Sequence, residues 1–102
     1  MKHITQKEWN ELLQDDSNAV ILDVRTAEEQ AEGIIENAIC LDIFKTDEFL
    51  SELEKMDKTK NYYVYCKSGG RSANACMVLE QMGAQTTYNL LGGVSLWEGD
   101  LV

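Results

Sequence analysis

The sequence predicts an α/β domain with a mainly parallel sheet covered by helices on both faces. Three observations carry this. Short apolar runs alternate with segments whose apolar residues recur at helical spacing. The run Ala19 to Val24 is interrupted only by Asp23, the pattern of a strand buried on both faces. Gly, Asn, Asp and Thr mark the boundaries in a chain without proline, so nothing resembling a Pro-rich linker divides it. Its 102 residues fit a single domain, 1–102.

The elements follow in order. Thr5 and Glu8 form a capping box, and Trp9, Leu12 and Leu13 continue at helical spacing to about Gln14. Asp15-Asp16-Ser17-Asn18 ends that helix, and Ala19–Val24 is the first strand of the reading. Thr26 and Glu29 form a second capping box, opening a short helix that stops by Gly33. A strand follows at Ala38–Ile43. Thr46 then caps a helix carrying Phe49, Leu50 and Leu53. Tyr62–Cys66 is rich in aromatic and β-branched residues and reads as a strand. Arg71–Met82 is a helix with Ala75, Val78, Leu79 and Met82 on one stripe and Gly83 just past its end. Thr86–Leu90 is the last strand, and Gly92-Gly93 turns the chain into a short helix bearing Leu96 and Trp97.

Composition excludes several functions. The formal net charge is −9, so no basic footprint for nucleic acid exists, and anionic membranes repel the chain. No apolar run approaches the ~20 residues of a membrane span. The N-terminal residues lack the apolar segment of a signal peptide, so a cytoplasmic location is expected. Cysteines stand at 40, 66 and 76, with no CxxC pair. Free thiols are expected, and neither a metal site nor a cofactor is.

The chemistry concentrates at Tyr65-Cys66-Lys67-Ser68-Gly69-Gly70-Arg71-Ser72. A cysteine ends a strand, a glycine-rich loop follows, and a helix begins. Gly69 and Gly70 allow positive φ, so successive N–H groups turn toward one point. With the helix N-terminus they form an anion cradle, and the Cys66 thiolate lies at its base. Lys67 and Arg71 add positive charge. His3 is the only histidine and reads as a solvated end residue, which excludes a Cys-His pair or a Ser-His-Asp triad. Electrostatics alone must then activate the nucleophile. Thiolate attack on a sulfane sulfur fits, because it needs no general base once the thiolate exists. Cys40, between Ile39 and Leu41, and Cys76, inside a helix, read as core residues.

With these segments in view, the chain resembles the rhodanese homology domain nearly end to end. Asp23-Val24-Arg25-Thr26 with Glu28-Glu29 is similar to that family's first signature. Gly33–Ile39 occupies the place of its second, and Tyr65–Ser72 that of the active-site loop. Tyr88-Asn89-Leu90, Gly92-Gly93 and Trp97 are similar to its closing segment. The resemblance implies a five-stranded parallel sheet with helices on both sides. It implies a persulfide on Cys66, with the outer sulfur cradled by loop amides of Lys67, Ser68, Gly69, Gly70, Arg71 and Ser72. Arg71 and Lys67 would hold an anionic donor such as thiosulfate. Asp23 and Arg25 would support the loop, with Arg25 paired to Glu29. The implied partners are a small-molecule sulfur donor and acceptor; a persulfide-donating protein is equally compatible. One signature departs from the family: Gly33-Ile34-Ile35-Glu36-Asn37-Ala38 lacks the usual histidine and proline. Asn37 can still take the left-handed conformation required there.

Two other functions compete. A cysteine-dependent phosphatase also uses a thiolate in an anion cradle ending in arginine, but its loop is one residue longer. A non-catalytic binding module has no need of a cysteine in a complete loop.

Overall fold

In the computed structural model, which describes residues 1–102, the chain runs β1 (Lys2–Ile4), α1 (Gln6–Gln14), β2 (Ala19–Asp23), α2 (Ala27–Ala31), β3 (Ile39–Cys40), α3 (Thr46–Lys55), β4 (Asn61–Tyr65), α4 (Gly70–Gln81) and β5 (Thr86–Leu90). A 3₁₀ helix at Gly93–Leu96 follows. The five strands form one sheet in the order β1-β5-β4-β2-β3, and every neighbouring pair is parallel.

Both capping boxes form. Thr5 accepts from the Glu8 N–H while Glu8 accepts from the Thr5 N–H, and Thr26 and Glu29 do the same. Each box satisfies helix N–H groups that have no intrahelical partner. Thr46 is different. It is the first residue of α3, preceded by Lys45, and no side chain caps that helix. Thr46 is followed at once by Asp47 and Glu48, whose charges suit the positive end of the helix dipole.

Strand β4 runs through the middle of the molecule, and its alternation sorts the core into two layers. Tyr62, Val64 and the following Cys66 pack with Phe49 and Leu53 of α3 and with Ala75, Cys76 and Leu79 of α4. Tyr63 and Tyr65 face the other side, against Trp9 of α1, Ile35 and Leu90. Trp9 meets Tyr63 edge-on at 5.4 Å between ring centres, a favourable aromatic geometry.

Three features were not visible in the sequence. Lys2–Ile4 adds itself to β5 as an edge strand and completes the five. The strand expected over Ala38–Ile43 keeps only Ile39 and Cys40. Cys40 is exposed, not a core residue, because β3 is short and lies at the open edge of the sheet. Asn37 does take a left-handed conformation, with φ of 70°, in the turn leading to β3.

Strands β2 and β4 are neighbours and end together, with Asp23 opposite Tyr65. Helices α2 and α4 both start just beyond these ends, so the carboxyl edge of the sheet carries two helix N-termini side by side. No helix is long and apolar enough to cross a membrane.

Two substitutions on α4 test the core assignment. Leu79 is fully buried and Met77 is half exposed. Leu79→Ala is expected to cost about 2–5 kcal/mol, and Met77→Ala less than about 0.5 kcal/mol. Urea unfolding of both variants checks this.

Candidate active site

Cys66 sits at the first position beyond β4, and the chain turns immediately under it. The Gly69 N–H donates to Cys66 Sγ at 3.1 Å, and Ser72 Oγ lies 3.3 Å from the same sulfur. Gly69 reaches this geometry with φ of 114°, a conformation that costs any residue bearing a Cβ. Gly70 behaves otherwise than expected: it is the first residue of α4, with no positive φ, and a methyl group there would meet nothing within 4 Å.

Cys66 is only 1% exposed. Burial pushes its thiol up. The Ser72 hydroxyl and the N–H groups of Ser72, Gly69 and Ser68 pull it down and prevail, so the thiol lies below its ordinary range. The chief groups lowering it are neutral donors held by the backbone.

The loop is clamped from two sides. On one, Val94 N donates to the Cys66 carbonyl at 3.1 Å and Ser95 N to the Lys67 carbonyl at 3.0 Å; the Ser95 hydroxyl donates to that same carbonyl at 2.8 Å. Gly93 makes the approach possible, since a Cβ there would lie 2.6 Å from the Lys67 backbone. On the other, the buried side chain of Asn89 reaches across from β5. Its amide nitrogen donates to the Gly69 carbonyl at 3.1 Å, which directs its oxygen to the Ser72 hydroxyl at 2.5 Å. The single Ser72 proton therefore has two acceptors, Asn89 and the sulfur.

Asn89 was not among the site residues expected from the sequence. Its signal there was slight: one amide side chain in a strand otherwise fit for burial. His3 corrects a second expectation. Its ring is exposed, but it is no remote end residue. Strand pairing puts it opposite Asn89, with Nδ1 3.0 Å from the Asn89 amide nitrogen. That nitrogen only donates, so His3 Nδ1 is the acceptor of this pair.

The charged residues also pair differently from the sequence reading. Arg25 binds Asp23, not the Glu29 carboxylate: its Nε and NH2 donate to Asp23 at 3.0 and 2.6 Å, in a pair almost wholly buried. Arg25 meets only the Glu29 backbone carbonyl, at 3.3 Å, and it bonds the Gly33 carbonyl at 2.7 Å. Two residues of one strand end can close a fork that a helix residue cannot reach as directly. The Glu29 carboxylate instead takes Arg71, with NH1 to Oε1 at 2.7 Å and NH2 to Oε2 at 2.9 Å. The Arg71 bonds, opposed by partial burial and helped by Thr26, hold the Glu29 carboxyl at about 2. Lys67 is exposed and makes no ion pair.

The three thiols are thus unequal. Burial pushes Cys76 up to about 12, and burial beside Asp23 raises Cys40. Cys66 alone is lowered.

Comparison with known proteins gives a consistent pattern. The model of the family described as "Rhodanese-like domain" matches residues 5–100. YtwF of Bacillus subtilis, whose sulfurtransferase name is provisional, is 35% identical over 100 residues, covering 98% of this chain and 93% of that protein. A protein of Allochromatium vinosum named sulfurtransferase is 32% identical, with 95% and 88% covered. The chain also matches 36% of the length of the tRNA uridine(34) hydroxylase of Pelagibacter ubique, at 32% identity over 96% of its own residues. Among solved structures, a rhodanese-like domain protein of Staphylococcus aureus superposes with a TM-score of 0.84 at 36% identity, covering 100% of this chain and 97% of that one.

Two predictions follow from the loop. Gly69→Ala is expected to cost about 1–2 kcal/mol from its positive φ, whereas Gly70→Ala is expected to stabilise by about 0.4–1 kcal/mol. Thermal unfolding of the pair distinguishes them. Ser72→Ala keeps the amide and removes the hydroxyl, so the pH midpoint for alkylation of Cys66 by iodoacetamide should rise. An unchanged midpoint would show that the hydroxyl does not stabilise the thiolate.

Proposed function

Because the chain belongs to the rhodanese-like family, we propose that it is a sulfurtransferase that carries a sulfane sulfur as a persulfide on Cys66. The donor is a sulfane compound such as thiosulfate or a persulfide, and the acceptor a thiophile such as cyanide or a thiol. The observation that carries this reading is the cradle itself: a cysteine whose Sγ accepts a loop amide at 3.1 Å and whose thiol is lowered without contact from histidine.

The chemistry needs little else. With thiosulfate, the Cys66 thiolate attacks the outer sulfur. A bond forms between Sγ and that sulfur, the bond to the sulfonate sulfur breaks, and sulfite leaves with the electron pair. The terminal persulfide sulfur is negative, and the inward amides of the loop with the N-terminus of α4 suit that charge. The acceptor then attacks the outer sulfur, breaks its bond to Sγ, and returns the thiolate. With thiosulfate as donor and cyanide as acceptor no proton moves in either step, and a thiol acceptor reacts as its thiolate after giving its proton to solvent; this agrees with a site whose only imidazole is tied to Asn89.

Asp23 and Arg25 act at a distance from the sulfur. Their buried pair ties the end of β2 to the Gly33 turn, and removing one partner leaves the other charged and unpaired. A phosphatase fits less well. Its arginine must face the phosphate, and here both Arg71 terminal nitrogens are bound to Glu29.

Incubation with thiosulfate or another sulfane donor is expected to add one sulfur atom to Cys66 and none to Cys40 or Cys76. Intact mass and peptide mapping read this directly, and Cys66→Ser should abolish transfer to cyanide. Sulfur recovered mainly on Cys40, or aryl phosphate hydrolysis without sulfur transfer, would overturn the assignment.

A further inference from the structure

Four ionised side chains are built into the surroundings of Cys66, and they cancel in pairs. Asp23 neutralises Arg25, and Glu29 neutralises Arg71. The second pair matters for what enters. Arg71 stands in the first turn of α4, and both its terminal nitrogens face the two carboxylate oxygens of Glu29. One face of its guanidinium lies under the ring of Phe44, 5.5 Å from the ring centre, and Phe44 is 67% exposed. Lys67 is the one loop cation outside these pairs, and it is exposed to solvent.

A dianion arriving here meets a neutral ion pair, within a chain of net charge −9. To use Arg71 it must displace a carboxylate already seated in the bidentate geometry that guanidinium prefers. Its reaction with the Cys66 thiolate then gathers three negative charges at one place. A persulfide on an organic thiol brings at most one charge to the reacting sulfur, and its carbon body can lie against the exposed Phe44 ring.

We propose that Glu29 is a specificity-determining residue: by occupying Arg71 it disfavours small dianionic donors and leaves the site suited to persulfides carried on organic thiols. This deepens, and rests on, the sulfurtransferase reading. In the favoured reaction the Cys66 thiolate attacks the outer sulfur of R–S–SH. The Sγ–S bond forms, the R–S bond to that sulfur breaks, and R–S leaves with the electron pair. The proton of the persulfide passes to the departing thiolate, giving R–SH and the Cys66 persulfide anion. No outside oxidant or reductant is needed.

The test replaces Glu29 by Gln, which keeps an oxygen for the Thr26 N–H and so preserves the capping box while deleting the charge. Loading of Cys66 is followed with thiosulfate and with glutathione persulfide, and sulfate binding is measured separately by calorimetry. Glu29→Gln is expected to lower KM for thiosulfate and to tighten sulfate roughly tenfold, the scale of one removed charge at a half-buried pair. KM for glutathione persulfide should change less than about twofold. Both gains must vanish in Glu29→Gln/Arg71→Gln, because they act through Arg71. Unchanged thiosulfate KM and sulfate affinity would overturn the proposal, as would an equal fall in KM for both donors. If neither donor loads Cys66 in the parent protein, the sulfurtransferase reading fails and the donor preference with it. The sulfate measurement still decides whether Glu29 shields Arg71.

Discussion

A cysteine that is 1% exposed can carry negative charge only if something replaces the water its sulfur has lost. In this protein the replacement is a turn of backbone. The N–H groups of Ser68, Gly69 and Ser72, joined by one hydroxyl, outweigh the burial that opposes them. Such donors work only while the loop is held still. Flexible amides would turn outward to water, and the thiol would rise back toward its ordinary range. The surrounding structure answers to that need for rigidity.

The sheet supplies the frame. Because β4 is central, Cys66 leaves the most deeply packed strand of the molecule, with helices below and above it. The 3₁₀ helix after β5 bonds the carbonyls of Cys66 and Lys67 from outside, and Asn89 bonds Gly69 and Ser72 from within. The N–H groups of the loop are thereby left to face the sulfur while its carbonyls are engaged elsewhere. Gly93 and Gly69 are needed for different reasons. Gly93 permits close approach of two backbones, and Gly69 permits a backbone angle that other residues resist.

Charge is arranged with similar economy. A buried Arg25 is tolerable only beside Asp23, and that pair joins the end of β2 to the turn at Gly33. The Glu29–Arg71 pair lies nearer the surface and joins the first turns of α2 and α4. Together they make the mouth of the site rigid while leaving it nearly neutral. An acidic chain with such a mouth relies on hydrogen bonds and not on net positive charge to stabilise its nucleophile.

The sequence by itself determined most of what depends on neighbours within a few residues, with the cap at Thr46 and the backbone of Gly70 as the exceptions. Both capping boxes, the apolar stripe of α4, the left-handed Asn37 and the strand–loop–helix around Cys66 are local, because each is a bond or a steric rule between residues close along the chain. The tertiary structure decided the pairings between distant segments. Glu29 carries two carboxylate oxygens that either arginine could claim, and only the adjacency of α2 and α4 gives them to Arg71 while Asp23 takes Arg25. His3 and Asn89 are separated by 86 positions, and a three-residue strand with no periodic signature brings them together. Cys40 sits between apolar residues like a core cysteine, yet its strand is the uncovered edge of the sheet. In each case the sequence states what a residue can bond, and the order of the strands decides which partner is within reach.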